Sequence, residues 1–532
     1  MAAEYRTGAE TVARNVHLIV LILVLTLTTL HVPLNRRADD AFREGAYLMY
    51  GVSGQGNAAM AAPVALRGGI ERVPAILART FCEPDYQIVC VRKIGIALTV
   101  GSVALYLLIL TVIAGFGTLI SVYAGIPAIA VLITLNGSAS SPADLFIGAP
   151  GAVDLGVLAI LYIALRVARD SQDATERYSR RWLFGLGVVA GFGQFWAYDR
   201  GIVGLVLLVT TMFGTSRLLP GTRPKRTIVS GLLLGLALSF LMGINRGFVA
   251  NITAQVYWLQ HSDIWWLHWT TPMMLVNGPA VLMVLLLLGL GFQIVQRNIA
   301  IGETGEAFSL RLLMIATAFY MVQMLLRPDA QHIGSVLAVA ALLAAMVLSQ
   351  IGLPWMWGVT PRRILFIAVC MVFVTSIYGP RTVASLPDLW SRDFDAAPDS
   401  WYSRTPRDAE LVPAGLKEAA DMIKARGADC TYSFSNEGLL YLLASTPPCS
   451  RFAYPVYITQ SQEPLVIAEL EAAKPPIILA QSGAWSNAVD GLSLSDRTPQ
   501  LAEWLKANYP GRKMLPGGYE IRMREVTGKP AR

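Results

Sequence analysis

Eleven apolar runs of spanning length punctuate the first 379 residues, near 16–34, 94–114, 117–135, 151–168, 182–197, 201–215, 228–245, 273–295, 309–326, 332–350 and 363–379. A hydrocarbon layer about 30 Å thick takes about 20 helical residues to cross. Inside it every backbone N–H and C=O must find a partner within the protein, so runs of this kind predict helices. Only 15% of the 532 residues are charged and 54% are hydrophobic, against about 25% charged in soluble domains. The first run, His17 to Leu34, is followed by no small-residue cleavage site and reads as a retained span.

Loop charge sets the expected orientation. With the N-terminus in the cytoplasm, cytoplasmic loops hold Arg166, Arg169, Arg177, Arg180 and Arg181, then Arg217, Arg223, Lys225 and Arg226, then Arg297, Arg362 and Arg363. Opposite loops between 136 and 332 hold Arg200, Arg246 and Arg327. That bias follows the positive-inside rule, and an odd number of spans leaves everything after Gly379 outside. The net charge of +7 is explained by these loops. No nucleic-acid motif accompanies it, and no nucleic-acid partner is expected.

Cys82 and Cys90 lie in the long first outer loop, and Cys430 and Cys449 lie near the C-terminus. Both pairs would face an oxidising compartment, where disulfides form. Cys370 falls inside a span.

Residues 380–532 change character. Pro380, Pro387, Pro398, Pro406 and Pro413 mark 380–412 as a linker along the membrane surface. Beyond it, helix is expected over Pro413–Arg426, Pro464–Ala473 and Pro499–Asn508, and strand over Cys430–Phe434 and Pro476–Ala480. The expected architecture is thus an α-helical integral membrane protein, with a transmembrane domain over 1–379 and a small α/β extracytoplasmic domain over 413–532.

Chemistry gathers at the outer loops. The first, residues 35–93, opens with Asn35-Arg36-Arg37-Ala38-Asp39-Asp40. Adjacent carboxylates repel one another, which raises one pKa and suits it to general-base work. The same segment also reads as a charged helix start, with Asp39–Arg43 and Asp40–Glu44 at helical spacing. Tyr198-Asp199-Arg200-Gly201 puts a charged pair at a short outer turn, either a helix cap or a functional pair. Arg327-Pro328-Asp329-Ala330-Gln331-His332 offers a guanidinium, a carboxylate and an imidazole, and Arg suits bidentate phosphate binding. The segment 245–271 carries Trp258, Trp265 and Trp266 beside Arg246. These rings suit an interfacial belt, or stacking against a sugar or lipid tail. No spacing defines a metal site, and a divalent cation is neither required nor excluded.

Taken together, this layout resembles the GT-C superfamily of membrane glycosyltransferases. The features shared are an N-in first span, a long first outer loop opening with Asp39-Asp40, about eleven spans and an outer α/β domain. The outer motifs at Tyr198–Gly201 and Arg327–His332 look like those of bacterial members. The resemblance implies a multi-pass protein of a bacterial inner membrane with a periplasmic C-terminal domain. It implies a polyprenyl-phosphate sugar donor, a glycan, lipid or protein acceptor, and an acidic base that falls on Asp39 or Asp40. Arg327, Arg200 or Arg246, with His332, would meet the donor phosphate, supported by Asp199 and Asp329. A transporter or flippase of lipid-linked glycans, or a non-catalytic envelope-assembly protein, is the alternative.

Overall fold

The computed structural model describes residues 11–22, 80–116, 155–170, 176–193, 198–218, 223–241, 271–326, 330–351, 406–435, 437–452, 458–481 and 494–524, with a few isolated positions. The expected spans near 117–135 and 363–379 lie outside them, as does Cys370. The other expected spans hold helices, the first of them only in part. These are α1 (Thr11–Ile22), α2 (Gln87–Ala114), α3 (Leu155–Asp170), α4 (Glu176–Gly193), α5 (Tyr198–Leu218), α6 (Pro224–Leu241), α7 (Thr271–Ala300), α8 (Thr304–Leu326) and α9 (Ala330–Ile351). Among the described residues, three stretches are long and apolar enough to cross a membrane: Pro224–Leu241, Gly278–Ala300 and Thr304–Val322.

Helix directions follow from close contacts. A Cβ built on Gly101 of α2 meets Leu155 at the start of α3, and one on Gly115 just after α2 meets Arg169 at the end of α3. The two helices therefore run parallel. Gly193 at the end of α4 packs on Gly156 at the start of α3, so α4 runs back. Four residues later α5 begins at that same end. Gly214 near the end of α5 faces Phe308 near the start of α8, so α8 returns and α9 starts at the end of the bundle where α3 and α5 begin. Helix α2, whose Gly101 is level with Leu155 and whose Tyr106 reaches Ala338, projects about 15–20 Å past that end. The opposite end of the bundle carries Arg166, Arg169, Arg180, Arg181, Arg223, Lys225, Arg226 and Arg297.

Lipid tails are as apolar as leucine, so helices in a bilayer associate by close packing and internal hydrogen bonds. The α4–α6 pair shows this most plainly. Gly187 and Gly191 of α4 face Gly231 and Gly235 of α6, and both pairs have glycine-x3-glycine spacing. A Cβ on Gly187 would lie 2.1 Å from the Ile228 carbonyl oxygen, and one on Gly235 would lie 2.2 Å from that of Val188. The helices touch backbone to backbone. Polar pins hold other pairs. Tyr106 Oη donates to the Ala338 carbonyl at 2.8 Å, joining α2 to α9, and Asn298 Nδ2 donates to Gln350 Oε1 at 3.2 Å, joining α7 to α9. His17 on α1 meets Thr111 Oγ1 on α2 at 2.7 Å. The Thr111 hydroxyl proton goes to the Leu107 carbonyl, so His17 Nδ1–H is the donor.

The C-terminal part contains α10 (Asp408–Leu411), α11 (Ala414–Ala425), β1 (Tyr432–Ser433), α12 (Leu439–Ala444), α13 (Glu463–Ala473), β2 (Ile477–Gln481), α14 (Leu494–Arg497), α15 (Pro499–Asn508), β3 (Gly511–Leu515) and β4 (Tyr519–Met523). The strand order is β1-β2-β4-β3, with β1 parallel to β2 and the other pairings antiparallel. Leu416, Ala419, Ala420 and Ile423 recur at helical spacing, and that face of α11 closes over Ile477, Leu479, Leu515, Tyr519 and Ile521. The β3–β4 hairpin turns through Pro516-Gly517-Gly518, where both glycines take positive φ. Glu463, fully buried, accepts the Leu501 N–H at 2.7 Å and so caps α15 from another helix.

Gly187→Ala and Gly235→Ala should each lower stability in micelles by about 1–3 kcal/mol, because the new methyl group must displace backbone. Gly185→Ala, on the same α4 but with nothing within 4 Å of its Cβ, should change it by less than about 1 kcal/mol. Thermal unfolding of the three variants separates the outcomes.

Candidate functional site

Helix α2 has 28 residues. At 1.5 Å each it is about 42 Å long, about 12 Å more than the hydrocarbon layer needs. Its first turns, with Gln87, Arg92 and Lys93, therefore suit a position beyond the lipid. Apolar residues on those turns need another cover, and the C-terminal domain supplies it. Ile88, Val89 and Val91 share one buried cluster with Leu411, Leu416, Ile423, Leu439, Leu479 and Ile521, and Cys82 packs against it.

The start of α2 is then completed by a distant carboxylate. A helix N-terminus exposes amide donors that need acceptors, and Tyr86, at the cap position, supplies no side-chain bond. Asp408 does so instead. Its Oδ2 accepts the Gln87 N–H at 3.0 Å and its Oδ1 accepts the Ile88 N–H at 2.9 Å. The Asp408 N–H donates in turn to the Asp85 carbonyl at 2.8 Å. Arg92, 1% exposed, lies in α2 beneath this contact.

Burial raises the Asp408 pKa above the ordinary carboxylate value, and the nearby Asp85 charge adds to the rise. The Ile88 and Gln87 amides and the Arg92 charge oppose it without cancelling it. The ionised cap is thus held against a desolvation cost.

Two disulfides frame the junction. Cys82–Cys90 ties the end of the first loop to the opening turns of α2, with its Cα atoms 5.8 Å apart. Cys430–Cys449 staples β1 to the segment that bridges it at Thr431–Pro448. Both pairings match the sequence expectation.

The residues singled out in the sequence divide as follows. Asp39, Asp40, Arg246, Arg327, Asp329, Trp258, Trp265 and Trp266 lie outside the described residues. Asp199 and Arg200 occupy the first turn of α5, and His332 occupies the first turn of α9, by backbone position. Both turns are at the bundle end from which α2 projects, and the C-terminal domain docks on that projection, about 15–20 Å beyond them along α2. Asp408 is the residue that sequence reasoning passed over. It falls within the expected linker, and its only local mark is an acid opening a four-residue helix. Among the described residues no group of three His, Cys, Asp or Glu side chains could hold a metal ion. No protein-family model matches the chain, and no curated protein matches it.

A group whose folded pKa is raised contributes stability that is complete below its unfolded value and is lost as pH rises through the folded one. Docking of the C-terminal domain should therefore weaken as pH rises through the raised pKa of Asp408, the reverse of an acid held by a salt bridge. Asp408→Asn should remove that component. Thermal unfolding of the full chain at a series of pH values checks this, and a slope unchanged by the substitution would contradict it.

Proposed function

We propose that the chain is a membrane glycosyltransferase of the GT-C type, moving a sugar from a polyprenyl-phosphate donor to a cell-envelope acceptor on the extracytoplasmic face. The observation that carries the reading is where the C-terminal domain docks. It sits on the projecting start of α2, which closes the first loop, on the same side of the bundle as the first turns of α5 and α9 that hold Asp199, Arg200 and His332. A loop opening with Asp39-Asp40, two short polar turns and a disulfide-stapled domain then share one side of the spans. The basic residues crowd the other end, as a cytoplasmic face requires. Both disulfides fit the oxidising side.

On this reading the donor's tail lies between spans and its phosphate sits at the interface. Arg327, Arg200 or Arg246 neutralises the phosphate. Asp39 or Asp40 takes the proton from the acceptor hydroxyl. The acceptor oxygen forms its bond to the anomeric carbon as the bond from that carbon to the phosphate oxygen breaks, with inversion. Polyprenyl phosphate leaves with the electron pair.

Asp39→Asn and Asp40→Asn should be compared for transfer from a panel of radiolabelled polyprenyl-phosphate hexoses and pentoses. One of the two should lose transfer by about a hundredfold or more, while the protein keeps both disulfides and its thermal stability. A carrier or scaffold would tolerate both changes. Full transfer by both variants would end the proposal.

A further inference from the structure

Two features meet at the start of α2: the end of the first loop, fixed by Cys82–Cys90, and the C-terminal domain, fixed by Asp408. The chain between Cys90 and Asp408 contains the remainder of α2 and helices α3 to α9. Contact between the domain and the loop therefore depends on this junction rather than on chain continuity. Its apolar part runs from Ile88, Val89 and Val91 to the half-buried Ile94 and Val100 along α2, with Cys82 beside it. Apolar contact of this kind is non-directional and does not by itself fix one orientation of the domain. The directional part comes from the carboxylate, which engages two adjacent amides at once and is backed by the Asp408 N–H on the Asp85 carbonyl.

We infer that Asp408 is the latch that holds the C-terminal domain in one orientation against the start of α2 and the Cys82–Cys90 end of the first loop. Removing this one carboxylate releases loop and domain from each other without unfolding either. The catalytic consequence, that the docked domain keeps the loop acids and acceptor in register, rests on the glycosyltransferase reading. The structural consequence does not.

The substitutions follow from the chemistry. Asparagine is nearly the same size but offers one acceptor, so its NH2 group faces one of the two amide donors and repels it. Alanine removes both acceptors. Asp421, exposed on α11 away from the junction, serves as the control position.

Hydrogen exchange measured by mass spectrometry on the full chain in nanodiscs reads the latch. In Asp408→Asn and Asp408→Ala the Gln87 and Ile88 amides should exchange about tenfold faster or more. Exchange in β2 and β4 should remain at the wild-type rate, and Asp421→Asn should match wild type throughout. Wild-type protection of residues 87 and 88 in both Asp408 variants would overturn the inference. So would loss of protection across the sheet, which would make Asp408 a folding residue of the domain rather than a latch.

Transfer from the same radiolabelled donors forms the second arm. kcat should fall about tenfold with the donor KM within about twofold, since the donor lies between the spans. Faster exchange with wild-type kcat would overturn the catalytic half. If the wild-type chain transfers no sugar from any donor, the enzyme reading fails, and the exchange arm still decides the latch.

Discussion

A carboxylate and two amide donors about 320 residues apart in sequence set how the two halves of this molecule meet. A helix that begins in water can leave its first N–H groups to solvent. The start of α2 cannot, because apolar side chains of the C-terminal domain close over it. Something must accept those hydrogen bonds, and Asp408 is the group placed to do so. Its raised pKa is the mark of that compromise: burial disfavours the charge, and the amides and Arg92 return part of the cost. The junction is thus specific rather than merely adhesive, since an apolar patch alone would not define one orientation.

Within the bundle the constraint differs. Lipid provides no solvent-exclusion force between helices, so proximity and internal polar pairing hold them together. The reciprocal glycines of α4 and α6 bring backbone to backbone, while Tyr106, Asn298 and His17 each fix a helix pair by one directional bond. Large side chains such as Phe213, Leu233, Phe240, Leu241 and Phe292 remain exposed on the outside of the bundle, where lipid tails suit them. The helix directions that result bring the starts of α5 and α9 to the end from which α2 projects and the arginine-rich loops to the other.

Hydropathy made the helices legible: nine of the eleven expected spans coincide with helices among the described residues, and three of these hold a stretch long and apolar enough to cross a membrane. Alternation and proline placement gave the helix over Pro499–Asn508 with the same bounds in sequence and structure. The β3–β4 hairpin was missed although Pro516-Gly517-Gly518 is a turn signal. Its strands carry Arg512, Lys513, Glu520 and Arg522, and these ion-paired residues mask the apolar alternation. The paired glycines of α4 and α6 were equally readable as a spacing, but only geometry says that they face each other. Asp408 could not have been found from the sequence. A cap is ordinarily sought beside the helix it serves, and this one is supplied from the far end of the chain. The disulfide pairings were accessible because each pair shares a short segment, with separations of 8 and 19 residues.

The proposed activity and the role of the latch in it both require the start of α2 to face away from the cytoplasm. Alkaline phosphatase, which folds only outside the reducing cytoplasm, reports this directly when fused after Arg532 or within 219–222, the connection between α5 and α6. The phosphatase should be active at the C-terminal fusion and inactive at the 219–222 fusion. Activity at 219–222 with none after Arg532 would place the latch, the disulfides and the first-loop acids in the cytoplasm, and would contradict the proposed activity.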